Sequence, residues 1–289
     1  FRRIWAEPPT LDPHQVADNF SLGIVVEVFS GLVTLNPDLA LVPDLAEDWT
    51  LSPDGTKYTF NLRHNARFHD GRPVTAHDVK YSLERALDPA LFSPTVDTYL
   101  DDIVGAKDRL NGSTDSVSGV RVIDVDTIEL EIEAPRAYFL AKLTYPTAFV
   151  VDHEDLANNP TDWIRKPNGT GPFRLIEYKV GERIVLGRNP YYYRGEPWLD
   201  QVEFVLSGGS AMAMYENGEI DISGVSLANI DRVSNPEDPL HQELVAAPPG
   251  FDLLYIGLNV NKAPFDDRNF RRALTAAIDK RLISERILF

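Results

Sequence analysis

PDLAEDWTLSPDGTKYTFNLRHNARFHDGRPVTAHDVKYSLERALD, residues 43–88, is where the chain declares its local structure most clearly. Residues 46–70 read as a hairpin. EDWTL forms the first arm, Ser52-Pro53-Asp54-Gly55 the turn and KYTFNLRHN the second arm. Tyr58, Phe60 and Leu62 alternate with polar residues, so the second arm has one face for a core. Asp70-Gly71 supplies another tight turn before Pro73. Thr75 and Asp78 then stand as Thr-x-x-Asp, a capping box that opens a helix. Ala76, Val79, Leu83, Ala86 and Leu87 share one side of that helix, which ends before Pro89.

Upstream, Ile4–Ala6 reads as a strand and residues 7–13 as a Pro-rich loop. Asp18 or Asn19 caps a helix whose apolar face carries Leu22, Val25, Val26 and Phe29, spaced i, i+3, i+4, i+7. A strand over Leu32–Leu35 follows. Downstream, a second hairpin has arms near 117–123 and 127–133. Gly169-Thr170-Gly171-Pro172 makes a sharp turn ahead of strands at 173–180, 183–188 and 201–206. Residues 251–260 read as an apolar strand and 267–280 as an amphipathic helix. Strands and helices mix with no regular βαβ repeat, which predicts an α+β or irregular α/β fold.

Composition narrows the function. The 289 residues carry 28 Lys and Arg against 44 Asp and Glu, a net charge of -16. A nucleic-acid partner needs a basic footprint, so none is expected. With no cysteine, disulfides and thiolate-held zinc are excluded. No apolar run reaches the ~18 residues of a membrane span. The chain begins without Met, at residues that already read as strand, so a segment removed ahead of Phe1 is expected. The six histidines, His14, His64, His69, His77, His153 and His241, show no helical His-x-x-x-His spacing, and no metal site or cofactor is expected. No Gly-x-Ser-x-Gly elbow or phosphate loop occurs. Acidic pairs such as Asp101-Asp102 do not by themselves make a hydrolase, and Asp266-Asp267 suits a helix N-terminus.

Seven stretches in order resemble the peptide, dipeptide and nickel-binding proteins of ABC importers, solute-binding family 5. Besides residues 43–88 they are TLDP (10–13), VFSGLVTLN (28–36), GTGPFRL (169–175), LGRNPYYYRGEPWLDQVEF (186–204), NGEIDI (217–222) and FDDRNFRRALTAAIDKRLI (265–283). The resemblance implies an extracytoplasmic, non-enzymatic protein, periplasmic or lipid-anchored, monomeric at full length. Two lobes close on a peptide and deliver it to the membrane permease. It implies a class II periplasmic-binding architecture, mixed α/β, with lobe one at 1–45 and 165–250 and an inserted subdomain at 46–164. Residues 251–289 cross over and begin a second lobe. Because similar proteins are much longer, the chain is expected to be a fragment with that lobe truncated.

The resemblance also implies ligand contacts at Ser30, Gly31, Leu32, Thr95, Tyr99, Thr170 and Gly171, with Ser30, Tyr99 and Thr170 on one concave face. Similar proteins often carry an acidic residue where Ser30 stands, which weakens any grip on a ligand amine from this side. Tyr191–Tyr193 are read as packing residues. Other readings are the same fold holding an oligosaccharide or nickel chelate, a sensor domain, or a carbohydrate-active enzyme. In the helix over 267–280, Phe270, Ala273, Leu274, Ala277 and Ile278 form a stripe that lobe one does not need. Pairing with another copy, or a crystal contact, is expected to cover it.

Overall fold

The computed structural model describes residues 1–160, 162–246 and 255–286, with side chains through 283. The chain divides into two units, Phe1–Ser223 and Gly224–Phe289.

Along the first unit run β1 (Arg2–Ile4), α1 (Asn19–Val28), β2 (Val33–Leu35), β3 (Leu41–Pro43), β4 (Ala46–Leu51), β5 (Lys57–Leu62), α2 (Ala76–Ala86), α3 (Val96–Tyr99), α4 (Ala106–Leu110), β6 (Val120–Val122), β7 (Thr127–Glu131), α5 (Phe139–Lys142), α6 (His153–Asn158), β8 (Phe173–Lys179), β9 (Arg183–Arg188), β10 (Gln201–Val205) and α7 (Ala211–Glu216). The mixed α/β class expected from the sequence is what is found.

The hairpin of residues 46–70 forms as β4 and β5, with Trp49 opposite Phe60 and Gly55 at φ +73° in the turn. β5 pairs with β7, and β7 with β6, giving the antiparallel order β4-β5-β7-β6. Phe60, Ile128 and Leu130 turn inward against Val79 and Leu83 of α2 and against Phe139. Each such side chain contributes about 1.5–3 kcal/mol by leaving water. The capping box closes as expected. Asp78 N–H donates to Thr75 Oγ1 and Thr75 N–H to Asp78 Oδ2.

A second sheet has the order β1-β10-β9-β8. β1 lies parallel to β10, with Arg3 opposite Phe204, and the other pairs are antiparallel. Its core gathers Val25, Val28 and Phe29 with Trp163, Ile184, Leu186 and Phe204. Asp18 caps α1. The buried face of α1 is Ser21, Ile24, Val25 and Val28, while Val26 is exposed. The expected face is thus rotated. α1 is apolar almost all round, so spacing alone does not orient it. β1 sits two residues earlier than expected.

In the second unit α8 spans Ile230–Val233, α9 Arg268–Ala277 and α10 Lys280–Arg286. Asp267 caps α9, accepting from the amides of Asn269 and Phe270. Phe270, Leu274 and Ile278 remain exposed. Of the strand expected over 251–260, residues 251–254 lie outside the described residues and 255–260 carry no strand.

Candidate functional site

Two glycines let residues 169–171 lie against the C-terminal end of α1. A Cβ on Gly169 would fall 2.0 Å from the Val28 oxygen, and one on Gly171 2.4 Å from the Glu27 oxygen. Neither clash is with a movable side chain, so glycine is required for approach rather than for an unusual φ. Gly171 N–H donates to Val28 O at 2.9 Å, filling one of the carbonyls a helix leaves unpaired at its end. Thr170 is fully buried, and its hydroxyl accepts from Ser30 N–H at 3.1 Å.

His69 locks the other side of this turn. Its N–H donates to Gly169 O at 2.9 Å. Its Nδ1 accepts from Gly169 N–H and its Nε2 lies 3.2 Å from Gly171 O. That pattern requires the neutral ring with the proton on Nε2, and burial lowers its pKa to about 4. Asn189 also donates to Gly171 O, at 2.8 Å.

Ser30, Gly31 and Leu32 continue from α1 into β2 and are buried. A Cβ on Gly31 would meet Leu143 O and the Phe149 ring at 3.0 Å. Ser30 O accepts from Val150 N–H at 2.9 Å. Beside them Tyr193 donates to Asp44 Oδ1 at 2.6 Å, and burial raises the Asp44 carboxyl above its ordinary range. Tyr193 is buried and Tyr191 is 46% exposed.

Thr95 and Tyr99 present a different environment, half-buried at the start and end of α3. The Thr95 and Thr147 hydroxyls are 2.6 Å apart. The Tyr99 ring stacks on Tyr145 with centroids 4.0 Å apart and planes within 3°. One segment, residues 145–150, therefore touches both Thr95–Tyr99 and Ser30–Gly31. Tyr145 meets Tyr99, Thr147 meets Thr95, Phe149 meets Gly31 and Val150 meets Ser30. Neither Tyr145 nor Thr147 is among the contacts expected from the sequence. The Pro between them was the available signal, since it fixes a short turn. The expected common concave face of Ser30, Tyr99 and Thr170 is not formed: Thr170 (0% exposed), Ser30 (4%) and Leu32 (2%) lie inside the protein, because their polar groups are spent on backbone hydrogen bonds, whereas Thr95 and Tyr99 reach its surface.

A cavity of about 860 Å³ opens elsewhere, bounded by Pro9, Asp70, Asp155, Lys166, Arg174 and Tyr178 among others. None of the seven expected contact residues lines it. Near its floor, ligand-type atoms of Asp78, Asp152 and His153 fall within 4.8 Å of one another. The centre of that cluster is taken by Arg72, whose Nη2 lies 2.8 Å from Asp78 Oδ1 and 2.5 Å from Asp152 Oδ1. Asn168 donates to Asp152 at 2.6 Å. The guanidinium supplies the positive charge a cation would otherwise bring. Burial pushes the Asp78 carboxyl up, but its bonds from Arg72, Thr75 and His153 outweigh this and hold it low.

The family model for bacterial extracellular solute-binding proteins, family 5, matches residues 40–289. A periplasmic protein of Escherichia coli K12, named as a probable deoxycholate-binding protein, is 33% identical over 98% of this chain and 54% of its own length. The dipeptide-binding protein of Bacillus subtilis is 30% identical over 95% of this chain and 50% of its own. The murein tripeptide binding protein of Escherichia coli superposes with a TM-score of 0.88 at 30% identity, covering 99% of this chain and 56% of that one. The chain thus spans about half the length of the relatives it matches. Among the described residues no helix is long and apolar enough to cross a membrane.

Proposed function

The chain belongs to the bacterial extracellular solute-binding proteins of family 5, and from that membership we propose that it forms one side of a cleft that takes up peptides for an ABC importer. The observation that carries this reading is the half-buried Tyr99–Tyr145 stack beside half-buried Thr95, whose hydroxyl pairs with that of the buried Thr147. Aromatic faces beside a half-buried hydroxyl suit a ligand whose backbone is polar and whose side chains vary. Thr95 and Tyr99 are the groups that touch ligand in this reading. Ser30, Gly31, Leu32, Thr170 and Gly171 hold the wall behind them.

Residues 46–164 act as a subdomain inserted into a lobe formed by 1–45 and 165–250, and 251–289 lead into a second lobe. Ligand binding selects the closed conformation of the two lobes, which docks on the permease outside the cytoplasm. No reaction is catalysed. Relatives named for dipeptides, oligopeptides and murein peptides support a peptide. One is named for deoxycholate, so the test must separate the two. Native mass spectrometry of the full-length protein as purified, then titrated with tripeptides or deoxycholate, does so. Bound peptide supports the proposal. Saturable deoxycholate binding without any peptide binding overturns it.

A further inference from the structure

Phe92 has a backbone and an environment that folding alone does not favour. Its φ of 53° and ψ of 44° place a bulky residue in the left-handed region, which glycine or asparagine ordinarily fills at the end of a helical turn. Its side chain is 86% exposed. Among the described residues the other non-glycine residue at positive φ, Leu39, sits in the β2–β3 turn, where Asn36 Oδ1 accepts from the amides of Asp38 and Ala40. Phe92 has no such hairpin; it closes the helical turn of Pro89–Leu91, its N–H donating to Pro89 O at 3.3 Å.

The chain on both sides of Phe92 is anchored to one short segment. Gln15 Nε2 donates to Leu91 O at 3.0 Å, and Ser93 Oγ donates to His14 O at 2.5 Å. On the same segment, Val16 O faces the Tyr145 hydroxyl at 3.5 Å. His14 is itself held by Arg85 at 2.8 Å and by Phe149 O at 2.9 Å. Residues 14–16 are thus a fixed rib, bonded both to the neighbours of Phe92 and to Tyr145 of the Tyr145–Tyr99 stack. Thr95 follows Phe92 by three residues. The anchors fix the neighbours and leave the ring in water.

We infer that Phe92 is a specificity-determining contact, an apolar surface at the rim of the Thr95–Tyr99–Tyr145 group that receives an aromatic or aliphatic side chain of a bound peptide. This rests on the peptide-binding reading above. Strained residues held by their surroundings concentrate at ligand clamps, and an aromatic ring gains most when a partner removes it from water.

The test uses the full-length protein, trialanine and the three tripeptides in which one alanine is replaced by phenylalanine, measured by calorimetry. Wild type binds at least one phenylalanine-containing peptide about tenfold more tightly than trialanine, the gain expected for burying a large apolar group. Phe92→Gly removes that preference and leaves trialanine affinity within about twofold. Because glycine accepts the left-handed conformation, the melting temperature of Phe92→Gly stays level or rises. Phe92→Asn, which also tolerates that conformation, repeats the binding result. If either variant folds and keeps the wild-type preference, the inference is overturned while peptide binding stands. If wild type binds none of the four peptides, the peptide-binding reading fails and the inference with it.

Discussion

The Ser30 amide donates to the Thr170 hydroxyl at 3.1 Å, joining residues 140 apart in the chain where both are shut away from water. Thr170→Val keeps the shape and removes the acceptor. An unsatisfied buried amide costs about 1–3 kcal/mol, so the unfolding free energy of Thr170→Val falls by that much and its urea midpoint falls with it. Thr170→Ser retains most of the stability. Equal midpoints for wild type and Thr170→Val would show that this hydrogen bond does not hold the wall.

Gly169 and Gly171 press against carbonyls of α1. Gly169→Ala and Gly171→Ala each lose about 3 kcal/mol, the top of the usual range for overpacking, because backbone must move to admit the methyl. Thermal unfolding measures this. Gly181→Ala is the contrast. Nothing lies within 4 Å of its added carbon, and its cost comes only from its φ of +70°.

His14 and His69 are buried, and burial lowers both pKa values from 6.5 to about 4. The unfolded chain takes up these protons near pH 6.5 and the folded chain only near pH 4. Their stabilising contribution is therefore complete above pH 6.5 and is lost as pH falls between those values, to the extent of about 3 kcal/mol each. Urea denaturation from pH 7.5 to 4 reads the slope. His69→Gln flattens it. A slope unchanged in both His69→Gln and His14→Gln would contradict the neutral-ring assignment.

Much of the fold is legible because its cues are local. The alternation of Tyr58, Phe60 and Leu62 predicts β5, and the Thr75–Asp78 spacing predicts the start of α2. Asp267 before an apolar stripe predicts α9. The parallel pairing of β1 with β10 is not legible, since nothing in Arg2–Ile4 names a partner 200 residues away. The same holds for His69 on Gly169 and Gly171, and for Arg72 on Asp152. The candidate contacts came from resemblance, and the resemblance does not separate residues that face ligand from residues that support them. Burial makes that separation: Thr170 has no exposed surface, while Tyr99 does.

Arg72 stands between Asp78 and Asp152, which are nearly inaccessible. Arg72→Met leaves two buried carboxylates facing each other and costs about 3–5 kcal/mol. The deficit narrows as pH falls and Asp78, which Arg72 holds low in the wild type, takes up a proton. Arg72→Lys rescues little, because one ammonium does not reproduce the fork that reaches both acids. Denaturation of the three proteins at pH 7 and pH 4 checks the order. A deficit in Arg72→Met that is the same at both values would contradict it.

Calorimetric titration of the full-length protein with peptide, wild type against Tyr99→Ala, tests the central claim most directly. The account predicts saturable peptide binding by wild type and an affinity about tenfold lower or worse in Tyr99→Ala, as expected for an aromatic that packs on ligand, with the melting temperature little changed. Absence of peptide binding by wild type, or full affinity in a folded Tyr99→Ala, would contradict it.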